Sequence, residues 1–221
     1  MADLYIVATP IGNLEDITLR ALRVLKEVDV ILCEDTRHTK ILLEKYSINQ
    51  PMMSYHHHSK LEKMQEIADL LKMNKKLALV SDAGTPGISD PGNLLIRYLL
   101  DENINVNIIP IPGPSGLAAG LSVSGFATDK FEFLGFVPHK KGRKTFFENL
   151  KGEDKTVIFY ESPHRIEKTL QSLLVNVPDR DIVICRELTK MYETIYRGKP
   201  EEVIKKIAPG EIKGEFIVIV S

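Results

Sequence analysis

Cysteine is scarce, net charge is almost nil, and long apolar runs are missing. Two cysteines among 221 residues, Cys33 and Cys185, cannot frame a disulfide-stapled fold. Both sit inside apolar runs and read as small buried hydrophobes in a reducing cytoplasm. No apolar run approaches the ~20 residues of a bilayer span, so a membrane-spanning protein is not expected. The first ten residues, MADLYIVATP, carry Asp3 and no basic segment, and do not read as a secretory signal. Lys plus Arg total 29 against 30 Asp plus Glu, a net charge of −1, so overall charge points to no polyanionic partner. What is present is a globular composition: 43% hydrophobic residues with only 14 Gly and 12 Pro exclude disorder. At roughly 150 residues per domain, the length fits one large domain or two small ones.

The first half alternates short apolar runs with helical patterns. Leu4–Thr9, Val28–Cys33, Leu77–Ser81 and Val106–Ile111 read as buried strands. Leu61, Met64, Ile67, Ala68 and Leu71 recur at helical spacing. Asp90 and Pro91, followed by Leu94, Leu95, Tyr98 and Leu99, read as an N-cap, a first-turn proline and an apolar stripe. Strand, loop and helix in repetition predict a parallel α/β sheet. In the second half Phe131–Val137, Thr156–Tyr160, Asp181–Cys185 and Glu215–Val220 read as strands, with Tyr192–Arg197 as a further one. His164–Leu174 and Glu201–Ile207 read as helices. The expectation is α/β: two small α/β domains, residues 1–112 with a parallel sheet and residues 113–221 with a mixed sheet, and a cleft between them.

Loops at the carboxyl ends of parallel strands are where such folds place their sites. Four here are rich in Gly, Pro and small polar residues: Thr9–Asn13, Glu34–Thr39, Ser81–Gly92 and Pro110–Gly120. Repetition at successive strand ends predicts a ligand cradled by backbone groups. No GxGxxG follows the first strand and no GxxxxGK[ST] occurs, which excludes the dinucleotide and P-loop fingerprints. Asp82 and Asp90 in the third loop suit a cationic or amine-bearing ligand better than a polyphosphate.

The strings TPIGNLEDIT, CEDTRHT, SDAGTPGISDPG, PGPSG, FYESPHR and RELTK follow in this order from Leu4 nearly to the end. Together they resemble the ribosomal small-subunit RNA 2′-O-ribose methyltransferase family of the tetrapyrrole-methylase-like superfamily (class III methyltransferases). The resemblance implies S-adenosylmethionine (SAM) held in the interdomain cleft, a cytoplasmic homodimer, and a cytidine ribose in the decoding centre of 16S rRNA, or the small ribosomal subunit, as acceptor. By the same resemblance SAM touches Pro10, Asp82, Gly84, Thr85, Pro86, Ile88, Ser115, Gly116, Tyr160, Leu188, Lys213 and Gly214. Ser115 also suits a helix N-cap, and the two roles are compatible. Many family members continue into a small C-terminal helical domain, whereas this chain stops at Ser221. Two other readings stand beside this one: a corrin or porphyrin C-methyltransferase of the same fold, and a non-catalytic RNA-binding or assembly module.

Methyl transfer to a ribose hydroxyl calls for a positioned acceptor and a general base. Glu34, Asp35, Glu161 and Glu187 are the candidate bases, with Arg37, Arg165 and Lys190 as electrostatic partners, though ion pairs are equally good uses for them. The cluster His139-Lys140-Lys141-Gly142-Arg143-Lys144 reads as a basic loop. Beside an RNA acceptor, Lys140, Lys141, Arg143, Lys144 and Arg165 are expected to meet phosphate. Phe146 and Phe147 suit base stacking but more often form a helix core face. His56, His57 and His58 lack ligand partners at metal spacing, so no metal site is expected.

Overall fold

The computed structural model describes residues 2–56, 59, 61–207 and 212–221. The chain divides into two compact units, Met1–Ser115 and Gly116–Ser221. Residues 113–115 stay with the first unit for local reasons. A Cβ on Gly113 would lie 3.1 Å from that of Ala8, and the Thr85 hydroxyl donates to the Pro114 carbonyl at 3.2 Å.

The first unit carries five strands: β1 (Ala2–Val7), β2 (Val30–Cys33), β3 (Met52–Ser54), β4 (Leu77–Val80) and β5 (Val106–Ile111). They form one sheet in the order β3-β2-β4-β1-β5, with every pair parallel. Four helices cover it: α1 (Leu19–Glu27), α2 (Thr36–Lys45), α3 (Leu61–Lys72) and α4 (Asn93–Asp101). Ala21, Val24, Leu25, Leu42 and Leu43 of α1 and α2 pack with Val7, Ile31 and Val80. Ile67, Ala68, Leu71, Leu95 and Leu99 of α3 and α4 pack with Leu4, Leu32 and Leu79. Burial on both faces explains why these strands read as continuous apolar runs. Asp90 does not cap α4: the helix opens at Asn93, and Gly92 precedes it with no side-chain cap.

The second unit opens with α5 (Gly116–Ser124), directly after Ser115, which the sequence offered as a helix N-cap. It continues through β6 (Phe131–Phe136), α6 (Arg143–Asn149), β7 (Thr156–Glu161), α7 (Ile166–Asn176), β8 (Ile182–Arg186), β9 (Thr194–Gly198), α8 (Pro200–Lys206) and β10 (Phe216–Val220). Its sheet runs β6-β7-β10-β8-β9; β6 and β7 are parallel and the other pairs antiparallel. Phe147, Ile166, Leu170, Leu173 and Val203 cover the face made by Val157, Phe159, Ile184, Phe216 and Val218. On the other face α5 runs against β10, where a Cβ at Gly116 or Gly120 would come within 3.0 or 3.2 Å of Ile217. Cys33 and Cys185 are buried and free. No described helix is long and apolar enough to cross a membrane.

Candidate functional site

Because the first sheet is all parallel, the loops after β1, β2, β4 and β5 leave it at one edge. They are bonded to one another rather than standing as separate turns. Thr9 and Gly84 form an antiparallel bridge through two backbone hydrogen bonds, of 2.9 and 3.0 Å. The Thr9 hydroxyl donates to the Ser81 carbonyl at 3.0 Å, and that of Ser81 donates to the carbonyls of Ala83 and Gly84, both at 3.3 Å. With the Thr85 hydroxyl on Pro114, these bonds tie the first, third and fourth loops together. Pro10, Gly84, Thr85 and Pro86 therefore sit in one bonded assembly, with Ile88 exposed beyond it and Ser115 directly before α5.

The second loop joins through Asp82, whose carboxylate accepts the Asp35 amide N–H at 3.2 Å. An open hollow of about 600 Å³ lies here, lined by Glu34, Asp35, Thr36, Arg37, Ser54, His56 and Asp82. Asp35 caps α2 by accepting the Arg37 N–H at 2.8 Å, while the Arg37 guanidinium meets both its oxygens at 3.0 and 2.6 Å. These bonds hold the Asp35 carboxyl down to about 2. Asp90 behaves oppositely. Burial, and then the negative charge of Glu34, pushes its carboxyl up to about 6, with Asp82 adding to the effect and a Ser81 hydrogen bond opposing it. Asp90 thus stands in the loop edge with a raised carboxyl and does not cap α4, while its place beside Asp82 in the third loop is the one read from the sequence. His57 and His58 lie outside the described residues.

In the second unit the remaining positions gather where β7 and β8 end and β10 begins. Tyr160 is met edge-on by Phe133 and Phe136, with ring centroids 5.1 and 5.3 Å away. Gly116 lies beside it, since a Cβ there would fall 3.6 Å from the Tyr160 hydroxyl. Leu188 is nearly buried between Glu187 and Thr189, both with left-handed backbones. Glu187 accepts from Lys190 Nζ at 3.0 Å and from the Glu215 N–H at 2.8 Å, and its own N–H donates to the Glu215 carbonyl at 2.9 Å. Burial lifts the Glu187 carboxyl, but these donors outweigh it and hold it below the ordinary range. Lys213 offers its carbonyl to Arg186 Nε at 2.8 Å. Gly214, at φ +102°, leaves room for Glu187: a Cβ there would stand 2.5 Å from the Glu187 Cδ.

Three expectations need correction. Glu161 cannot serve as the base, because its side chain is fully buried and both oxygens are occupied. Arg143 does not face phosphate: it opens α6 with its side chain 7% exposed and paired to Glu161 at 3.1 Å. Arg165 is likewise turned inward, 2.8 Å from Glu161. Lys140, Lys141 and Lys144 remain exposed. Phe147 is core, as a helix core face requires.

The chain is thus a doubly covered parallel sheet with bonded, carboxylate-bearing loops at its carboxyl edge, followed by a mixed-sheet unit, and the likeness to known proteins identifies this as a methylase fold. Residues 3–204 match the family described as Tetrapyrrole (Corrin/Porphyrin) Methylases. Among solved structures, diphthine synthase superposes with a TM-score of 0.75 at 15% identity, covering 100% of this chain and 90% of that one. Cobalt precorrin-4 methyltransferase does so with a TM-score of 0.73 at 17% identity, covering 99% and 94%. At such identities the likeness speaks for the fold alone. Curated relatives are nearer. Ribosomal RNA small subunit methyltransferase I of Thermotoga maritima is 47% identical over 221 residues, covering 100% of this chain and 99% of that protein. The protein of the same name from Bacillus subtilis is 45% identical over 221 residues, covering 100% of this chain and 75% of its own length. The chain belongs to the tetrapyrrole methylases and, within them, to the ribosomal RNA small subunit methyltransferase I family. Methylases of this family and fold use SAM as methyl donor. The donor set of the loop edge fits such a group: carbonyls and carboxylates suit a sulfonium cation, an ammonium and ribose hydroxyls.

Proposed function

We propose that this chain methylates the 2′-hydroxyl of a cytidine ribose in the decoding centre of 16S rRNA, using SAM. The observation that carries the reading is the 47% identity, over its whole length, to a protein named for methylating small-subunit ribosomal RNA. Family resemblance supports the finer parts: cytidine, the 2′-oxygen, the decoding centre, and a cytoplasmic homodimer acting on 16S rRNA or the small subunit.

In this reading Pro10, Asp82, Gly84, Thr85, Pro86, Ile88 and Ser115 hold SAM from the first unit. Gly116, Tyr160, Leu188, Lys213 and Gly214 hold it from the second. Bound there, SAM supplies a methyl group on a cationic sulfur. The bonded loops would hold it, and positioning the acceptor against its methyl group would supply much of the acceleration. The ribose hydroxyl must lose its proton as the new bond forms. Glu161 is sealed off, and Glu187 is committed to Lys190 and Glu215. Asp35 is held ionised by Arg37, which leaves Glu34, in the hollow with Arg37, as the candidate base able to take that proton. Asp90, not among those candidates, is a second carboxyl of the same loop edge, raised to about 6. Arg37 steadies the charge developing on the ribose oxygen. Lys140, Lys141 and Lys144 neutralise RNA phosphates.

A 2′-O-methyl group blocks attack of that oxygen on the adjacent phosphate, so alkaline hydrolysis maps it directly. After incubation with SAM, 16S rRNA should show one new alkali-resistant position, at a cytidine. Incorporation of methyl groups with an unchanged alkaline ladder would move the reaction to a base.

A further inference from the structure

Buried Glu161 pairs with Arg143 of the basic cluster and with Arg165. Oε1 accepts from Arg165 Nη2 at 2.8 Å and from the Ser162 N–H at 2.7 Å. Oε2 accepts from Arg143 Nη1 at 3.1 Å and from the Thr169 hydroxyl at 2.6 Å, and that hydroxyl in turn accepts from Arg143 Nη2 at 2.7 Å. Each arginine then reaches the turn. Arg165 Nη1 donates to the Val137 carbonyl at 2.8 Å, where the chain leaves β6. The Arg143 backbone N–H donates to the Lys140 carbonyl at 3.3 Å, where the chain enters α6. Between these two anchors His139, Lys140 and Lys141 stand exposed.

Such a network is a poor device for stability. Desolvating three charges costs about what their attraction returns, and an apolar cluster of equal volume does as well. What it supplies is fixed geometry. The carboxylate links Arg165, which holds the Val137 carbonyl, to Arg143, whose backbone N–H holds the Lys140 carbonyl; Val137 is held as well by its own N–H on the Tyr160 carbonyl at 3.3 Å. These bonds anchor both ends of the backbone carrying the lysines.

We propose that Glu161 is a positioning residue: through Arg143 and Arg165 it holds residues 138–142 in the shape that presents Lys140 and Lys141 to RNA phosphate. This rests on the proposed RNA reading and deepens it, because it turns the buried part of the FYESPHR string into a determinant of acceptor affinity.

The test is a double-mutant cycle read by binding of a 16S rRNA fragment at two salt concentrations, with SAM affinity measured by calorimetry on the same samples. The Lys140→Ala/Lys141→Ala variant should weaken RNA binding and flatten the log–log salt slope by about one per lost contact. Glu161→Gln should weaken RNA binding at least about tenfold while leaving SAM affinity unchanged, and should add nothing in the lysine-less background. Glu161→Asp should recover part of the loss. If Glu161→Gln fails to fold, Thr169→Val, which removes one shared hydroxyl, should show the same effect in smaller measure and the same non-additivity. RNA affinity that responds to the lysines but not to Glu161→Gln or Thr169→Val overturns the positioning role alone. Full additivity of the two losses overturns it as well. RNA affinity indifferent to both lysines removes the turn from the RNA surface, and the proposal with it.

Discussion

Arg143 Nη1 lies 3.1 Å from Glu161 Oε2, with the two side chains 7% and 0% exposed, although 18 positions separate them in sequence. The pair converts one member of a basic cluster into an internal strut. Removing the carboxylate leaves two guanidinium groups without a counter-charge in a place water scarcely reaches. Glu161→Gln is therefore expected to lower stability by about 3–5 kcal/mol. Urea denaturation monitored by circular dichroism checks this. A loss below about 1 kcal/mol would show that the arginines find other partners.

Gly214 and Glu187 make the second prediction. A methyl group at position 214 would occupy space held by the Glu187 side chain and would force an L residue into a φ of +102°. Gly214→Ala should cost about 2 kcal/mol or more, and should weaken SAM binding because Leu188 and Lys213 flank the displaced carboxylate. Thermal unfolding and calorimetry on the same preparation read both effects. An alanine variant with wild-type values in each would contradict the geometry.

Asp90 gives a pH dependence whose sign is fixed. Its folded carboxyl titrates at about 6, above the ordinary 3.8, so between these values the folded chain holds a proton that the unfolded chain releases. The contribution of Asp90 to stability is complete below the ordinary value and is lost as pH rises through about 6. Asp90→Asn should remove that component of the slope. Melting curves of both proteins across this window should converge at the acid end and separate toward neutrality; parallel curves would refute the assignment.

Arg37 separates activity from stability. Its side chain is 89% exposed and pairs only locally with Asp35 among the described contacts. Arg37→Ala should leave the melting temperature unchanged and lower kcat for methyl transfer at least about tenfold. A raised KM at full kcat would make Arg37 a binding residue instead.

Legibility of the fold from sequence followed the range of the forces involved. β1, β2 and β4 could be read because helices cover both sheet faces, leaving apolar runs; β5, at the sheet edge with only Ile111 buried, was legible from its apolar residues alone. β3 could not, being three residues, Met52–Ser54, at the sheet edge without a buried position. The beginning of α4 was misread because Asp90 and Pro91 form a good local cap signal, whereas the chain turns through Gly92 before the helix opens at Asn93. The site divided in the same way. Gly- and Pro-rich loops are visible residue by residue, but the Thr9–Gly84 bridge spans most of the first unit and leaves no local trace. Lys140, Lys141 and Arg143 look alike as charges, and only the long-range partner Glu161 turns one of them inward.

The central claim, that a SAM-dependent enzyme acts here on small-subunit ribosomal RNA, is tested most directly by transfer of a radiolabelled methyl group. Naked 16S rRNA, isolated small subunits and a tetrapyrrole should be offered side by side. Label should enter RNA, free or assembled, at one site per molecule and should be lost in Asp82→Ala. Label in the tetrapyrrole with none in either RNA sample would contradict the account.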